Sequence, residues 1–71
     1  MEFNHSKLRG RITEKFGSQA NFARHINKVE SWLSNRINNK VHFTDEDIYL
    51  LSAPENLDIP DREIPDYFFT L

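Results

Sequence analysis

The 71-residue sequence contains no cysteine, only two glycines and no long apolar run. Without cysteine there is no disulfide bond, no thiolate nucleophile and no cysteine-based zinc site, a composition typical of a reducing compartment. No apolar run approaches the ~18 residues of a membrane span, and the N-terminus lacks the charged-then-apolar order of a signal peptide. We therefore expect a cytoplasmic protein, within a bacterial host cell, that does not enter a membrane.

Catalytic and metal-binding motifs are missing as well. Gly10 and Gly17 are the only glycines, so the chain has no glycine-rich phosphate-binding loop. Three histidines, His5, His25 and His42, form no i, i+4 pair and give no zinc pattern, so we expect each at the surface or at the edge of the core. No serine lies on a recognisable nucleophile elbow. We expect no enzyme, no metal site, no cofactor and no small-molecule ligand.

A first helix is predicted from about Ser6 to Phe16, because three apolar residues recur every four positions. These residues are Leu8, Ile12 and Phe16. Asn4 or Ser6 can cap the start of this helix, and Gly17 follows at the position where a left-handed residue is commonest. Gly10, inside the helix, indicates either close packing or simple tolerance.

Residues 18–39 predict two short helices joined by a tight turn. Ser18 is placed to cap the first of them through its side-chain oxygen. The apolar stripe of that helix consists of Phe22, Ala23 and Ile26. Asn27 tolerates a left-handed backbone, so Asn27 and Lys28 can end one helix and allow another to begin.

The second of these helices is predicted from about Val29 to Asn38 and has two different sides. Its buried side is expected to consist of Val29, Leu33 and Ile37, at i, i+4 and i+8. The residues expected to point outward are Ser31, Ser34, Asn35 and Asn38. This is the arrangement of a helix-turn-helix, whose second helix contacts a molecule outside the protein.

A further helix is predicted after an extended segment. Val41 and Phe43 alternate in that segment, which we expect to cross the core as a strap. Thr44 can cap a helix that ends near Ser52, because Pro54 disfavours helical geometry at the residue before it. Three acids, Asp45, Glu46 and Asp47, lie in its first turn, where they stabilise the positive end of the helix and lack the spacing of a calcium loop.

The C-terminal residues predict a loop and short helical turns. Leu57 and Ile59 are expected to anchor the loop, and residues 60–64 to form one turn that Pro65 interrupts. Asp66 is then placed to cap a final turn. The aromatic residues of that turn, Tyr67, Phe68 and Phe69, either pack back on the bundle or form a dimer contact. The whole chain, residues 1–71, is thus predicted to be a single all-α domain, a bundle of four to five short helices.

The charge is unevenly distributed along the chain, although its net value is only −2. Residues 1–40 carry eight basic and three acidic residues, a net charge of +5. Residues 41–71 carry one basic and eight acidic residues, a net charge of −7. A basic N-terminal half that contains the two-helix unit suits a polyanion, although such a charge can also be a merely solvated surface.

Several stretches resemble the small phage-encoded helix-turn-helix regulators of the Cro and Xre class. These stretches are residues 8–12, 14–19, 21–23, 33–34 and 38–40, and the ending with Ile64 and residues 67–71. The resemblance spans most of the chain and implies a lambda-repressor-like fold. It also implies binding to double-stranded operator DNA in a lysis-lysogeny switch, where relatives usually act as dimers on paired half-sites.

The resemblance assigns roles to individual residues. Gln19 is expected to touch a phosphate or to brace the second helix, and Ala23 to let the two helices cross closely. The residues that fall where relatives contact base edges are Glu30, Ser31 and Asn35, with Ser34 and Asn38 beside them. The cations expected to hold phosphates are Arg24, Lys28, Arg36 and Lys40.

Three residues depart from the family pattern and support an alternative. Asn27 replaces the usual glycine, and Val29 replaces the serine that usually caps the second helix, a loss of about 1 kcal/mol. Trp32 is the sharpest departure, because Val29, Trp32 and Arg36 share one side of the helix and tryptophan is enriched in protein-protein hot spots. The main hypothesis, which rests on the helix-turn-helix and the basic N-terminal half, is a DNA-binding regulator. The alternative is an antirepressor that docks this side on a partner phage repressor and blocks its DNA binding.

Overall fold

Five α-helices and one 3-10 turn make up the part of the chain that the computed structural model describes, residues 3–71. The helices are α1 (Ser6–Phe16), α2 (Gln19–His25), α3 (Glu30–Ile37), α4 (Asp45–Ser52) and α5 (Ile64–Phe68), and the 3-10 turn, Asp61–Glu63, precedes α5. No strand occurs between residues 3 and 71. The predicted all-α bundle is confirmed.

The bounds of α1 are those expected from the sequence. The Asn4 side chain accepts a hydrogen bond from the Ser6 N–H at 2.8 Å, but the N-cap residue of α1 is His5, whose side chain makes no capping hydrogen bond. Gly17 ends the helix with φ 85°, a left-handed conformation that glycine adopts without strain. Gly10 is exposed, and an added Cβ would meet nothing within 4 Å. Of the two explanations for Gly10, tolerance is therefore the correct one.

The turn between α2 and α3 also has the predicted chemistry. Ser18 Oγ accepts a hydrogen bond from the Asn21 N–H at 3.1 Å and thus caps α2. Asn27 has φ 62°, the left-handed conformation expected of it. The Lys28 N–H donates to the Ala23 carbonyl at 2.8 Å, which closes α2 and turns the chain toward α3.

Val29 is where the prediction for α3 was wrong. It was expected on the buried side, but 69% of its surface is exposed. The reason is that Val29 is the N-cap residue, with extended backbone angles, so the helical i, i+4 spacing does not yet apply to it. Leu33 and Ile37, which lie within the helix, are buried as expected.

Helix α4 begins with a reciprocal cap. The Thr44 side chain accepts from the Asp47 N–H, while the Asp47 carboxylate accepts from the Thr44 N–H. The helix ends at Ser52 as predicted, and the anchors Leu57 and Ile59 are both buried.

The expectation for Pro65 and Asp66 was wrong. Pro65 does not interrupt a turn; it lies in the first turn of α5, where its missing N–H has no intrahelical partner to lose. Asp66 therefore lies inside α5 and caps no helix, and its carboxylate approaches the Lys7 ammonium at 4.0 Å.

The core lies where α1 packs against α2 and α5, and α2 packs against α3. Its largest fully buried side chains are Phe22, Phe68, Leu8, Ile12, Leu33, Ile37, Leu51 and Leu57. Tyr67 and Phe68 are buried, so these aromatic residues pack on the bundle, whereas Phe69 is 47% exposed. The Asn4 N–H donates to the Thr70 carbonyl at 2.6 Å, which joins the two ends of the described chain.

His5 is buried, which corrects the expectation that it lies at the surface or core edge. Its Nδ1 donates to the Ile37 carbonyl at 2.9 Å and so ties the start of α1 to the end of α3. The ring also packs edge-on against Phe43 with 5.3 Å between ring centroids. Phe43 therefore covers the core as the predicted strap, whereas Val41 is exposed.

Candidate interaction surface of the third helix

Helix α3 is held in place by its apolar side. Leu33 and Ile37 lie in the core, α2 packs against α3, and the small side chain of Ala23 in α2 is buried. Val29 precedes the helix and makes no side-chain cap, as its apolar side chain predicts. The inner side of α3 is thus fixed in the core, and its outer side faces solvent.

The residues predicted to contact bases are not equally available. Glu30 and Ser31 are exposed, whereas Ser34, Asn35 and Gln19 are half-buried. Asn38 accepts a hydrogen bond from Arg9 Nη2 at 2.6 Å and donates to Ser34 Oγ at 3.1 Å. The C-terminal polar residues of α3 are therefore engaged within the protein, and the N-terminal ones remain open.

Trp32 lies at the centre of a cluster of charged side chains. It is half-buried and packs against the core, with the Arg36 guanidinium 4.1 Å and the Lys28 ammonium 5.1 Å from the centre of its ring. Arg36 Nη1 donates to the Trp32 carbonyl at 3.1 Å. Both cations are thus placed for cation-π attraction, which covers part of the ring.

Arg36 also connects α3 to α4. Its Nε donates to the Asp47 carboxylate at 2.9 Å, and only 16% and 14% of the two side chains are exposed. Burial alone would raise the pKa of Asp47, but hydrogen bonds from the Thr44 backbone and from Arg36 outweigh burial and lower it. This pair could not be predicted from the sequence, because the two residues lie in different helices.

The four predicted phosphate-binding cations differ in their freedom. Arg24 donates to the Asn21 side chain, and Lys28 and Arg36 lie at Trp32. Lys40 is exposed and has no side-chain partner among residues 3–71. The structure therefore brings two of the four cations, Lys28 and Arg36, to the Trp32 ring, whereas Lys40 makes no such contact.

Within residues 3–71, neither a metal-binding cluster nor a membrane-spanning helix accompanies this surface. No group of three or more histidine or acidic residues in the described part of the chain is arranged to hold a metal ion. Over the same residues, no helix has the length and apolar character needed to cross a membrane.

Comparisons with known proteins place these features in a family. The model of a family described as "Protein of unknown function (DUF739)" matches residues 1–71. Among solved structures, the chain is similar to the modulator of repression (MOR) of the temperate bacteriophage TP901-1 from Lactococcus lactis. The two are 39% identical, with a TM-score of 0.81 over 97% of this chain and 90% of the other. No curated protein matches the sequence.

Proposed function

This chain belongs to the DUF739 family, and we propose that it is a small phage regulator that modulates repression by binding its partner repressor. The observation that carries the proposal is the likeness in sequence and fold, over nearly the whole chain, to a phage modulator of repression. A protein that binds a repressor across its DNA-binding surface prevents the repressor from occupying its operator. We place the docking surface at the exposed Val29 and the half-buried Trp32, with Arg36 held against the tryptophan ring.

Two features of α3 favour a protein partner over DNA. Val29, at the start of α3, offers an exposed apolar side chain, and an apolar side chain is a poor contact for a phosphate backbone and a good one for a protein. Arg36, expected to hold a phosphate, is already paired with Asp47 and is largely covered. A duplex would have to break that pair before it could use the guanidinium.

Operator binding in the manner of Cro and Xre regulators is a second candidate. Glu30 and Ser31 are exposed at the start of α3, where base-contacting residues of helix-turn-helix proteins lie. Lys40 is free to approach a phosphate. For DNA binding, the attraction of the phosphates to the basic residues 1–40 must exceed their repulsion by the acidic residues 41–71.

The test compares binding to the two partners with one set of variants. The purified repressor encoded by the same phage is titrated with the wild type, with Val29→Ser and with Val41→Ser. Val29→Ser removes the apolar contact but adds a helix cap, so we expect α3 to become more stable while repressor binding weakens by about tenfold or more. Val41→Ser, another exposed valine, is the matched control and should bind like the wild type.

Trp32→Ala serves as a second variant, with its melting temperature measured alongside. A gel shift with the DNA next to the repressor gene tests the second candidate in parallel. If the wild type shifts that DNA at micromolar concentration and does not bind the repressor, the modulator proposal is wrong and the DNA-binding candidate replaces it.

A further inference from the structure

Arg36 joins the tryptophan of α3 to the first turn of α4. Its Nε donates to the Asp47 carboxylate at 2.9 Å, and its Nη1 donates to the Trp32 carbonyl at 3.1 Å. The two acceptors lie in different helices, and the guanidinium carbon is 4.1 Å from the centre of the indole ring. A guanidinium is planar and rigid, so hydrogen bonds from two of its nitrogens fix the orientation of its plane beside the ring.

Asp47 is itself held in one place. The carboxylate oxygen that accepts from Arg36 also accepts from the Thr44 N–H at 3.0 Å. In return, the Asp47 N–H donates to Thr44 Oγ1 at 3.1 Å, which completes the reciprocal cap of α4. Only 14% of the Asp47 side chain is exposed. The first turn of α4 thus offers Arg36 a counter-ion in a fixed position.

The second cation at the indole has no such anchor. Lys28 is exposed, and its ammonium lies 5.1 Å from the centre of the Trp32 ring. It forms no salt bridge within residues 3–71. A lysine has a flexible four-carbon stem, so Lys28 can leave the ring without breaking another contact of this kind. Of the two cations, Arg36 is therefore the one that can hold the indole in a single orientation.

The orientation of the indole depends on this support, because the ring is only half-buried. It packs against the core, and part of its surface remains open to solvent. When a partner covers a side chain that already has its bound orientation, little further conformational entropy is lost at that side chain. A tryptophan that Arg36 holds in place therefore binds more tightly than the same tryptophan free to turn.

We infer that Asp47 is a positioning residue for the docking surface: through Arg36 it holds the Trp32 ring in the orientation that meets the partner repressor. The inference rests on the proposed function and assigns a role in binding to a residue of α4. The Asp47 carboxylate is mostly covered and bonded to Arg36 and Thr44. Its effect on affinity therefore passes through Trp32 and not through a contact of its own.

Two simpler effects of Asp47 differ from positioning, and the chain offers a control for each. Loss of Asp47 opens the cap of α4, which lowers stability. Thr44→Ala also opens the cap, because it removes the hydroxyl, but it keeps the backbone N–H that donates to Asp47. Loss of Asp47 also removes a negative charge, which changes the attraction to a charged partner. Asp45→Ala removes the same charge from the same turn.

The experiment measures, by titration calorimetry below the melting temperatures, the affinity of the wild type, Asp47→Ala and both controls for the full-length repressor encoded by the same phage. The fluorescence anisotropy of Trp32, the sole tryptophan, reports the mobility of the indole in each free protein. Asp47→Asn, which keeps an oxygen for the cap but loses the charge, replaces Asp47→Ala if that variant does not stay folded. The substitution at residue 47 is also made in Trp32→Leu, which keeps an apolar side chain without the ring.

We expect Asp47→Ala to bind the repressor about five- to twentyfold more weakly, because the freed Trp32 and Arg36 side chains must be ordered again on binding. The anisotropy of Trp32 should fall in the same variant, and Asp47→Asn should change both quantities in the same direction. Thr44→Ala and Asp45→Ala should keep the wild-type anisotropy and bind within about twofold of the wild type. In Trp32→Leu, the substitution at residue 47 should have no further effect on affinity, because the ring through which it acts is gone.

The possible failures are distinguishable. If Asp47→Ala weakens binding no more than Thr44→Ala, or weakens it equally in Trp32→Leu, Asp47 acts through stability or charge alone; the inference is then wrong and the proposed function stands. A Trp32 anisotropy that does not respond to Asp47→Ala refutes the inference in the same way. If the wild type does not bind the repressor, the proposed function fails and the inference fails with it.

Discussion

Replacing Asp47 by alanine should lower the free energy of unfolding by about 2–3 kcal/mol, because one carboxylate performs two structural tasks. A single oxygen of Asp47 accepts from the Thr44 N–H at 3.0 Å and from Arg36 Nε at 2.9 Å. Loss of the first bond opens the reciprocal cap of α4, which costs about 1 kcal/mol. Loss of the second leaves a mostly covered guanidinium without its counter-ion, which costs about 1–2 kcal/mol after allowance for its remaining contact with solvent.

This loss is large enough to measure by thermal unfolding. For a domain of this size, 1 kcal/mol corresponds to about 4–8 °C in melting temperature, so Asp47→Ala should melt roughly 10–20 °C below the wild type. Circular dichroism follows the helices, and the fluorescence of Trp32, the sole tryptophan, follows the α3–α4 contact. Asp45→Ala is the matched control: it removes an exposed acid from the same turn, one without a hydrogen-bond partner in the described chain, and should cost less than about 1 kcal/mol.

The same pair gives stability a dependence on pH. The pKa of Asp47 in the folded protein lies below its ordinary value of 3.8, so folding favours the ionised form. The contribution of Asp47 is therefore fully present above the unfolded pKa and is lost as the pH falls through the folded pKa. Asp47→Asn should flatten this acid limb. A melting temperature of Asp47→Ala within about 3 °C of the wild type would refute the structural role assigned to the pair.

Changes at four positions, Gly10, Gly17, His5 and Asn27, test the fold one residue at a time. Gly10→Ala should raise the free energy of unfolding by about 0.5–1 kcal/mol, because the new methyl group meets open space. Gly17→Ala should lower the free energy of unfolding by about 1 kcal/mol, because φ at residue 17 is positive. Chemical denaturation measures both changes and shows their opposite signs. His5→Ala should lower the free energy of unfolding by about 2–3 kcal/mol, since it leaves the Ile37 carbonyl unpaired and a cavity beside it. The exposed His42→Ala is the control. Equal melting temperatures for the two variants would contradict this prediction. Asn27→Ala should cost about 1 kcal/mol in the same melts and Asn27→Gly nothing, because only the left-handed turn distinguishes them.

Local chemistry explains why most helix bounds could be predicted from the sequence. Ser18, Thr44 and Gly17 act on atoms within three or four residues of themselves, so their positions alone predict where α1, α2 and α4 begin or end. Val29 and Pro65 show where this reasoning fails. Each lies at a helix boundary, and whether a boundary residue counts as inside or outside the helix depends on how the neighbouring turn packs.

The candidate surfaces were harder to predict, because they depend on residues far apart in the chain. The outward side of α3 follows from periodicity, but the bond from Arg9 to Asn38 and the pair of Arg36 with Asp47 arise only when the helices pack. Likewise, the excess of acids after residue 40 is visible in the sequence. Where the acids of residues 55–58 lie depends on the loop that Arg11 holds in place.

The hydrogen bond between Asn4 and Thr70 means that the path of the chain is almost a closed ring. Helix α1 packs against α5, which is made after the other four helices, so α1 stays without one of its neighbours until α5 has been synthesised. It also means that a short peptide link could join residues 4 and 70 with little change in their positions. Such a circular chain would lose part of the conformational freedom of its unfolded state, an effect of about 4 kcal/mol for a closed loop of roughly this length.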